Sequence, residues 1–212
     1  FGGSLSAGST FGITVRGVNN IDSGSLSPST DVTTDALIRT LSVDDSATAD
    51  TTMRFVGTSF SGFSALNKFS DLFRIVVGNA AANDSVEITA TATNSNLTDI
   101  SVTMAANKSP AHPNSNASPF DTSDGSTQGS SVSETPGITT SSAQTITFSS
   151  LSAGSTGINV RLKATHDGTN NNAFAVQEKD ITITAVVKDS GGSVVKSSTT
   201  MHTAKVTHNP TA

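Results

Sequence analysis

The segment Ser4-Leu5-Ser6-Ala7-Gly8-Ser9-Thr10 followed by Gly12-Ile13-Thr14-Val15-Arg16 returns near the other end of the chain. There it reads Ser150-Leu151-Ser152-Ala153-Gly154-Ser155-Thr156 and Gly157-Ile158-Asn159-Val160-Arg161. Eleven of twelve aligned positions are identical, and the copies differ by Thr14 against Asn159 and by one extra residue, Phe11. Side chains alternate faces along a strand, so a single insertion flips everything beyond it. In the first copy Leu5, Ala7, Phe11, Ile13 and Val15 share one parity, which predicts one long straight strand with a continuous apolar edge. In the second, Leu151 and Ala153 have one parity and Ile158, Val160 and Leu162 the other, which predicts a turn or bulge at Ala153-Gly154. A terminal strand that imitates an internal one is suited to β-strand addition, in which the end of one copy completes the sheet of the next. Ser and Thr make up nearly a third of the chain, so some matching is expected by composition alone. The apolar residues match as well.

A length of 212 residues suits one large all-β domain or two small ones, long enough to bury a real core. With no Cys, neither a disulfide framework nor a thiolate metal site exists, and stability comes from packing, bound ions or assembly. Trp and Tyr are absent too, leaving ten Phe as the only aromatics. Sugar clefts and single-strand nucleic-acid grooves usually present Trp or Tyr faces, so both functions are disfavoured. A net charge of −5 with twelve Lys and Arg provides no basic patch for a polyanion, and no nucleic-acid partner is expected. No apolar run approaches the roughly 18 residues of a membrane span, and the chain starts at Phe1 rather than Met. The expectation is an extracellular or cell-surface protein, secreted through a cleaved signal peptide.

Residues 1–18 read as the donor-like strand, with Val18 as its last apolar residue, and the turn-rich 19–31 as a linker. From 32 to 212 the chain reads as a β-sandwich domain. Val32–Val43, Thr51–Phe60, Phe73–Val77, Ser85–Thr93 and Asn96–Met104 are strand-like, and Val86, Ile88, Ala90 and Ala92 alternate most cleanly, with Glu87, Thr89 and Thr91 outward. Phe63, Leu66, Phe69, Leu72 and Phe73 instead fall at spacings of three and four, which predicts a short helix over Ser64–Leu72, capped by Ser61 or Ser64. Asn107–Gly137 holds four Pro among many Ser, Asn and Asp and reads as a long loop or insertion with nothing to build a core. Strand patterns resume at Ile138–Phe148, Gly157–Ala164, Ala173–Val176, Asp180–Val187 and Ser193–Val206, with Gly191-Gly192 marking a hairpin. Ten or so strands with one short helix describe an all-β sandwich.

Three stretches carry a family likeness. Leu66-Asn67-Lys68-Phe69-Ser70-Asp71-Leu72 leads into Phe73-Arg74-Ile75-Val76-Val77-Gly78, Leu151-Ser152-Ala153-Gly154-Ser155-Thr156 leads into Ile158–Leu162, and Asn170-Asn171-Asn172-Ala173-Phe174-Ala175-Val176-Gln177 precedes Ile181–Val187. In order and spacing they resemble the TasA and camelysin-like secreted fibre subunits, a family whose relatives include archaeal bundling pilins. The resemblance implies a jelly-roll-like β-sandwich and a secreted subunit of matrix fibres or pili. In such fibres the N-terminal segment of one copy completes the sheet of the next, making the chain its own partner in a homopolymer, with lateral bundling between filaments.

Some of those relatives are classed as metalloproteases, but His112, His166, His202 and His208 are scattered and no His-Glu-x-x-His occurs. His202 and His208 share a parity, yet six residues at about 3.3 Å each separate them by about 20 Å, too far for one ion. Both are expected to face solvent. No Gly-x-Ser-x-Gly elbow singles out a nucleophilic Ser, so no enzymatic activity and no catalytic residue are expected. Asp44-Asp45 with Asp50, Asp84 with Glu87, and Asp121 with Asp124 are the candidates for calcium, a hard ion wanting oxygen ligands, though none forms an EF-hand loop. A solvated turn is the better account of each, and no other cofactor is implied. Asn83, Asn96, Asn107 and Asn116 stand in N-glycosylation patterns, at a number that fifteen Asn in so Ser- and Thr-rich a chain yields by chance. The function expected is a structural subunit of an extracellular filament, polymerising through Leu5, Ala7, Phe11, Ile13, Val15 and Val18. The alternative is a monomeric adhesin or carbohydrate-binding module.

Overall fold

The computed structural model describes residues 2–6, 10–14, 38–44, 52–56, 66–92, 100–108, 120, 132–135, 138, 143–166 and 177–209. The chain divides into two units, Phe1–Ile38 and Arg39–Ala212. In the first, β1 (Gly2–Ser6) and β2 (Thr10–Thr14) pair antiparallel, with Leu5 opposite Phe11 and Gly3 opposite Ile13. The terminal copy of the repeat is thus a hairpin and not one straight strand. Local pairing satisfies backbone groups that a lone strand leaves open, and the intervening Ala-Gly-Ser contains the glycine that short hairpin loops favour. Ala7, Val15, Val18 and the 19–31 linker lie outside the described residues.

The second unit is a two-sheet β-sandwich, as the alternation predicts. One sheet runs β10 (Gln144–Phe148), β7 (Ser85–Ala92), β12 (Gln177–Lys188), β13 (Val194–Asn209) and β4 (Thr52–Val56); all its pairs are antiparallel except β13 with β4. The other runs β3 (Thr40–Asp44), β6 (Phe73–Ala80), β11 (Gly154–His166), β8 (Ile100–Lys108) and β9 (Val132–Thr135), with β5 (Leu66–Phe69) pairing β11 beyond the end of β6. Val86, Ile88, Ala90 and Ala92 of β7 and Ile181, Ile183, Ala185 and Val187 of β12 meet Ile158, Val160, Leu162 and Ala164 of β11 and Val102, Met104 and Ala106 of β8 in one core. Each buried Val, Ile or Leu contributes about 1.5–3 kcal/mol, enough to hold a sandwich without disulfides. The hairpin expected at Gly191-Gly192 joins β12 to β13, with Gly192 at φ +86° and its N–H donating to Asp189 O.

The internal copy of the repeat bends where its parity changes. Gly154 adopts φ +108°, a conformation that favours glycine, and the β11–β6 register shifts between Gly154 and Thr156. Before the bend, Leu151 is buried and exchanges backbone hydrogen bonds with the turn ahead of β7, its N–H donating to Asp84 O and its carbonyl accepting from Asn83 N–H. After it, Gly157 leaves room for the Arg74 guanidinium to lie across the strand, in space that any Cβ would occupy.

Two expectations are corrected. No helix occurs among the described residues of Ser64–Leu72, where Leu66–Phe69 is the strand β5. The three- and four-residue spacing comes from a strand that breaks and switches faces: Phe69 packs outside the sheet on Phe120 at 5.9 Å, while Phe73 enters the core. Pairing to β11 outweighs the local periodicity. Within the expected 107–137 loop, Asn107 and Lys108 complete β8, Val132–Thr135 adds a strand beside it, and Phe120 is buried under Lys163 at 4.8 Å. Its few apolar residues suffice because β8 and β11 supply the rest of the surface.

Ser70 joins β5 to β6. Its N–H donates to Leu162 O (3.0 Å), its Oγ accepts the Leu162 N–H (3.0 Å), and its carbonyl accepts from Arg161 Nε (2.8 Å). The hydroxyl thus replaces a ladder carbonyl where the strand is interrupted. Ser70→Ala orphans the buried Leu162 N–H and is expected to destabilise the fold by about 1–3 kcal/mol, measured as a lower urea midpoint with an unchanged slope.

Candidate functional site

The carboxylates proposed for calcium are differently occupied. Asp84 is 1% exposed; its Oδ2 accepts from Arg39 Nε (2.9 Å) and Ala81 N–H (2.8 Å), and its Oδ1 from Arg39 Nη2 (3.3 Å). Burial alone would raise the Asp84 carboxyl, but the hydrogen bonds from Arg39 and Ala81 outweigh it and hold it below its ordinary value. Arg39 is in turn raised by its hydrogen bond to Asp84. The pair clamps the approach to β3 onto the turn before β7, so the Asp84 carboxylate is engaged by Arg39 and Ala81. Glu87 is also engaged, accepting from Lys188 Nζ across the β7–β12 ladder at 2.6 Å. Asp44 stands opposite Arg74 in the β3–β6 register, and Asp45, Asp50, Asp121 and Asp124 lie outside the described residues. Among the described residues, no group of three or more His, Asp or Glu is placed to hold a metal ion.

The histidines do not face solvent. His208 is 1% and His166 0% exposed, with their rings edge-to-face at 5.0 Å and His166 tilted against Phe55 at 5.6 Å. His202, half-buried, stacks on Phe73 at 4.3 Å. The even-numbered positions of this part of β13, with Ala204 and Val206 between the histidines, are those that face the core. His112 lies outside the described residues. Sequence reasoning also missed Lys179, which shares the parity of Ile181 and Ile183 and is 4% exposed; that parity was the available signal. Burial lowers its pKa, and no carboxylate partners it among the described residues.

Of the glycosylation candidates, Asn83 is exposed at φ 68° in the turn before β7. Asn107 is buried on β8 opposite Asn159, which removes it as an accessible acceptor in the folded chain. Asn96 and Asn116 lie outside the described residues, whereas Leu5, Phe11 and Ile13 of the proposed donor sit on the β1–β2 hairpin.

The site that remains is a margin of the sandwich. β4 pairs only with Lys205–Asn209 of β13, so no described strand lies along that side of Val194–Met201. β3, an edge of the other sheet, approaches β13, and Leu41, Val43 and Met201 are only partly buried against the core. Val194 and Val195 are exposed nearby. At the opposite margin β9 and β10 approach each other, and Ile138 between them is buried with its N–H on Val102 O. No helix of the described residues is long and apolar enough to cross a membrane. These features define a disulfide-free, all-β two-sheet protein in which no described strand lies beside the first part of β13. No protein-family model matches the chain, and no curated protein matches it.

Asp84→Asn removes the carboxylate that accepts both Arg39 hydrogen bonds and is expected to cost about 3–5 kcal/mol by denaturant unfolding. Because the Asp84 carboxyl is lowered in the fold, its contribution is complete above its unfolded value of 3.8 and is lost as pH falls through the lower folded value. The variant should flatten that acid limb. Lys179→Met replaces a buried lysine whose charge is disfavoured by desolvation and should raise stability at neutral pH by about 1–3 kcal/mol. The Lys179 amine is lowered from 10.5, so wild-type stability rises with pH between its folded value and 10.5, and the variant lacks that rise.

Proposed function

We propose that this chain is a structural, non-catalytic subunit of an extracellular filament, a pilus or biofilm-matrix fibre, built by donor-strand complementation through its N-terminal segment. The observation that carries this reading is the near-identity of Ser4–Arg16 with Ser150–Arg161, because the internal copy leads into the central strand of a sheet. A sequence able to pair on both sides within one sandwich occurs again at the N-terminal end of the sequence. The resemblance to TasA-like fibre subunits and bundling pilins points the same way and adds secretion by a cleaved signal peptide and lateral bundling. Burial of Leu5, Phe11, Ile13, Val15 and Val18 at about 1.5–3 kcal/mol each supplies on the order of 10 kcal/mol of gross joint energy, before the cost of ordering.

A second reading, a monomeric cell-surface adhesin or carbohydrate-binding module, is favoured by one observation: β1 and β2 pair with each other. Electron microscopy separates the two. The full chain is expected to form filaments, while Ile13→Asp and a version lacking residues 1–18 remain dispersed with an unchanged β-sheet circular dichroism spectrum. Filaments of full length from Ile13→Asp would rule out strand donation, and dispersed particles from every version would favour the adhesin.

A further inference from the structure

Resting on the filament reading, we infer that the receiving site is the margin between β3 and the first half of β13, and that its occupant is the N-terminal segment of a second copy of this chain. A strand is accepted where backbone donors and acceptors lack a strand partner and where apolar side chains flank them. Both sheets end at this margin. Along Val194–Met201 the far side of β13 has no described strand, because β4 joins only at Lys205. Across from it, β3 pairs with β6 alone among the described residues. Leu41 and Val43 of β3 and Met201 of β13 are packed on the core but only partly buried.

The other margin is filled by the chain itself. There β9 pairs with β8, β10 approaches both, and the buried Ile138 closes the crossing between sheets. The proposed occupant fits the open margin chemically. Leu5 to Val15 contains no charged residue, is apolar at every second position except Ser9, and is as long as Val194–Ala204, the part of β13 that β4 does not pair. Once the β1–β2 pairing opens, such a strand laid between β3 and β13 completes both the hydrogen bonding of the edge and the burial of Leu41, Val43 and Met201.

The absence of Cys makes the test direct. Donor variants Phe11→Cys, Ile13→Cys and Val15→Cys are mixed one at a time with acceptor variants Ser42→Cys on β3, Thr200→Cys on β13, or Thr147→Cys on the opposite β10 edge. The mixtures assemble under reducing conditions, are checked for filaments by microscopy, and are then oxidised. Disulfides require Cα atoms within about 7 Å, so pairing reports contact. Donor–acceptor dimers are expected several-fold more abundant with Ser42→Cys or Thr200→Cys than with Thr147→Cys. Filaments that crosslink chiefly through Thr147→Cys, or through no seam position, overturn the assigned edge while leaving the filament reading intact. Absence of filaments from the unmodified chain overturns that reading itself. An intrachain disulfide in a dilute Ile13→Cys/Thr200→Cys double variant shows that each chain fills its own margin, and overturns the inference of a second copy.

Discussion

The larger unit depends on β11 satisfying several strands at once. Its backbone pairs with β6 and then β5 on one side and with β8 on the other, while Ile158, Val160, Leu162 and Ala164 enter the core. A strand in that position fixes the register of its neighbours, because a shift of one residue would send its apolar set outward. The bulge after Gly154 and the Ser70 hydroxyl are where the register changes without leaving a buried backbone group unmet.

Polar groups carried inside are handled in three ways. Asp84 and Arg39 neutralise each other and, with the Ala81 N–H, form a complete hydrogen-bonded lock. The histidines use their ring faces, packing on Phe55, Phe73 and each other. Desolvation disfavours the charge of Lys179, and its place is set by its parity on β12. On the outer side of the second sheet, Arg161 and Lys163 lie over Phe69 and Phe120, so cationic side chains cover a small apolar cluster beyond the main core.

How much of this was legible varies with the range of the interactions. Val86–Ala92 and Ile181–Val187 were readable because alternation is a local consequence of strand geometry. The bend at Gly154 was readable because the parity change and the glycine stand together. Leu66–Phe69 was misread because helical spacing and a broken strand leave the same apolar pattern, and pairing with β11, far away in sequence, decided between them. Asp84 looked like a calcium ligand because its partner, Arg39, lies 45 residues away. His208 looked exposed because parity tells which residues share a face and not which face is inward.

By itself, the sequence determined that this chain is an all-β protein, that its core rests on aliphatic and Phe side chains in the absence of Cys, Trp and Tyr, and that one strand-forming segment occurs twice. These follow from composition and from periodicities spanning a few residues. Only the tertiary structure decided which strands are neighbours, that Asp84 is locked by Arg39, that three histidines and a lysine turn inward, and that β4 pairs only the last part of β13. The physical reason is that hydrogen-bond partners and buried neighbours across sheets are set by contacts between residues distant along the chain. No local pattern encodes where those residues meet.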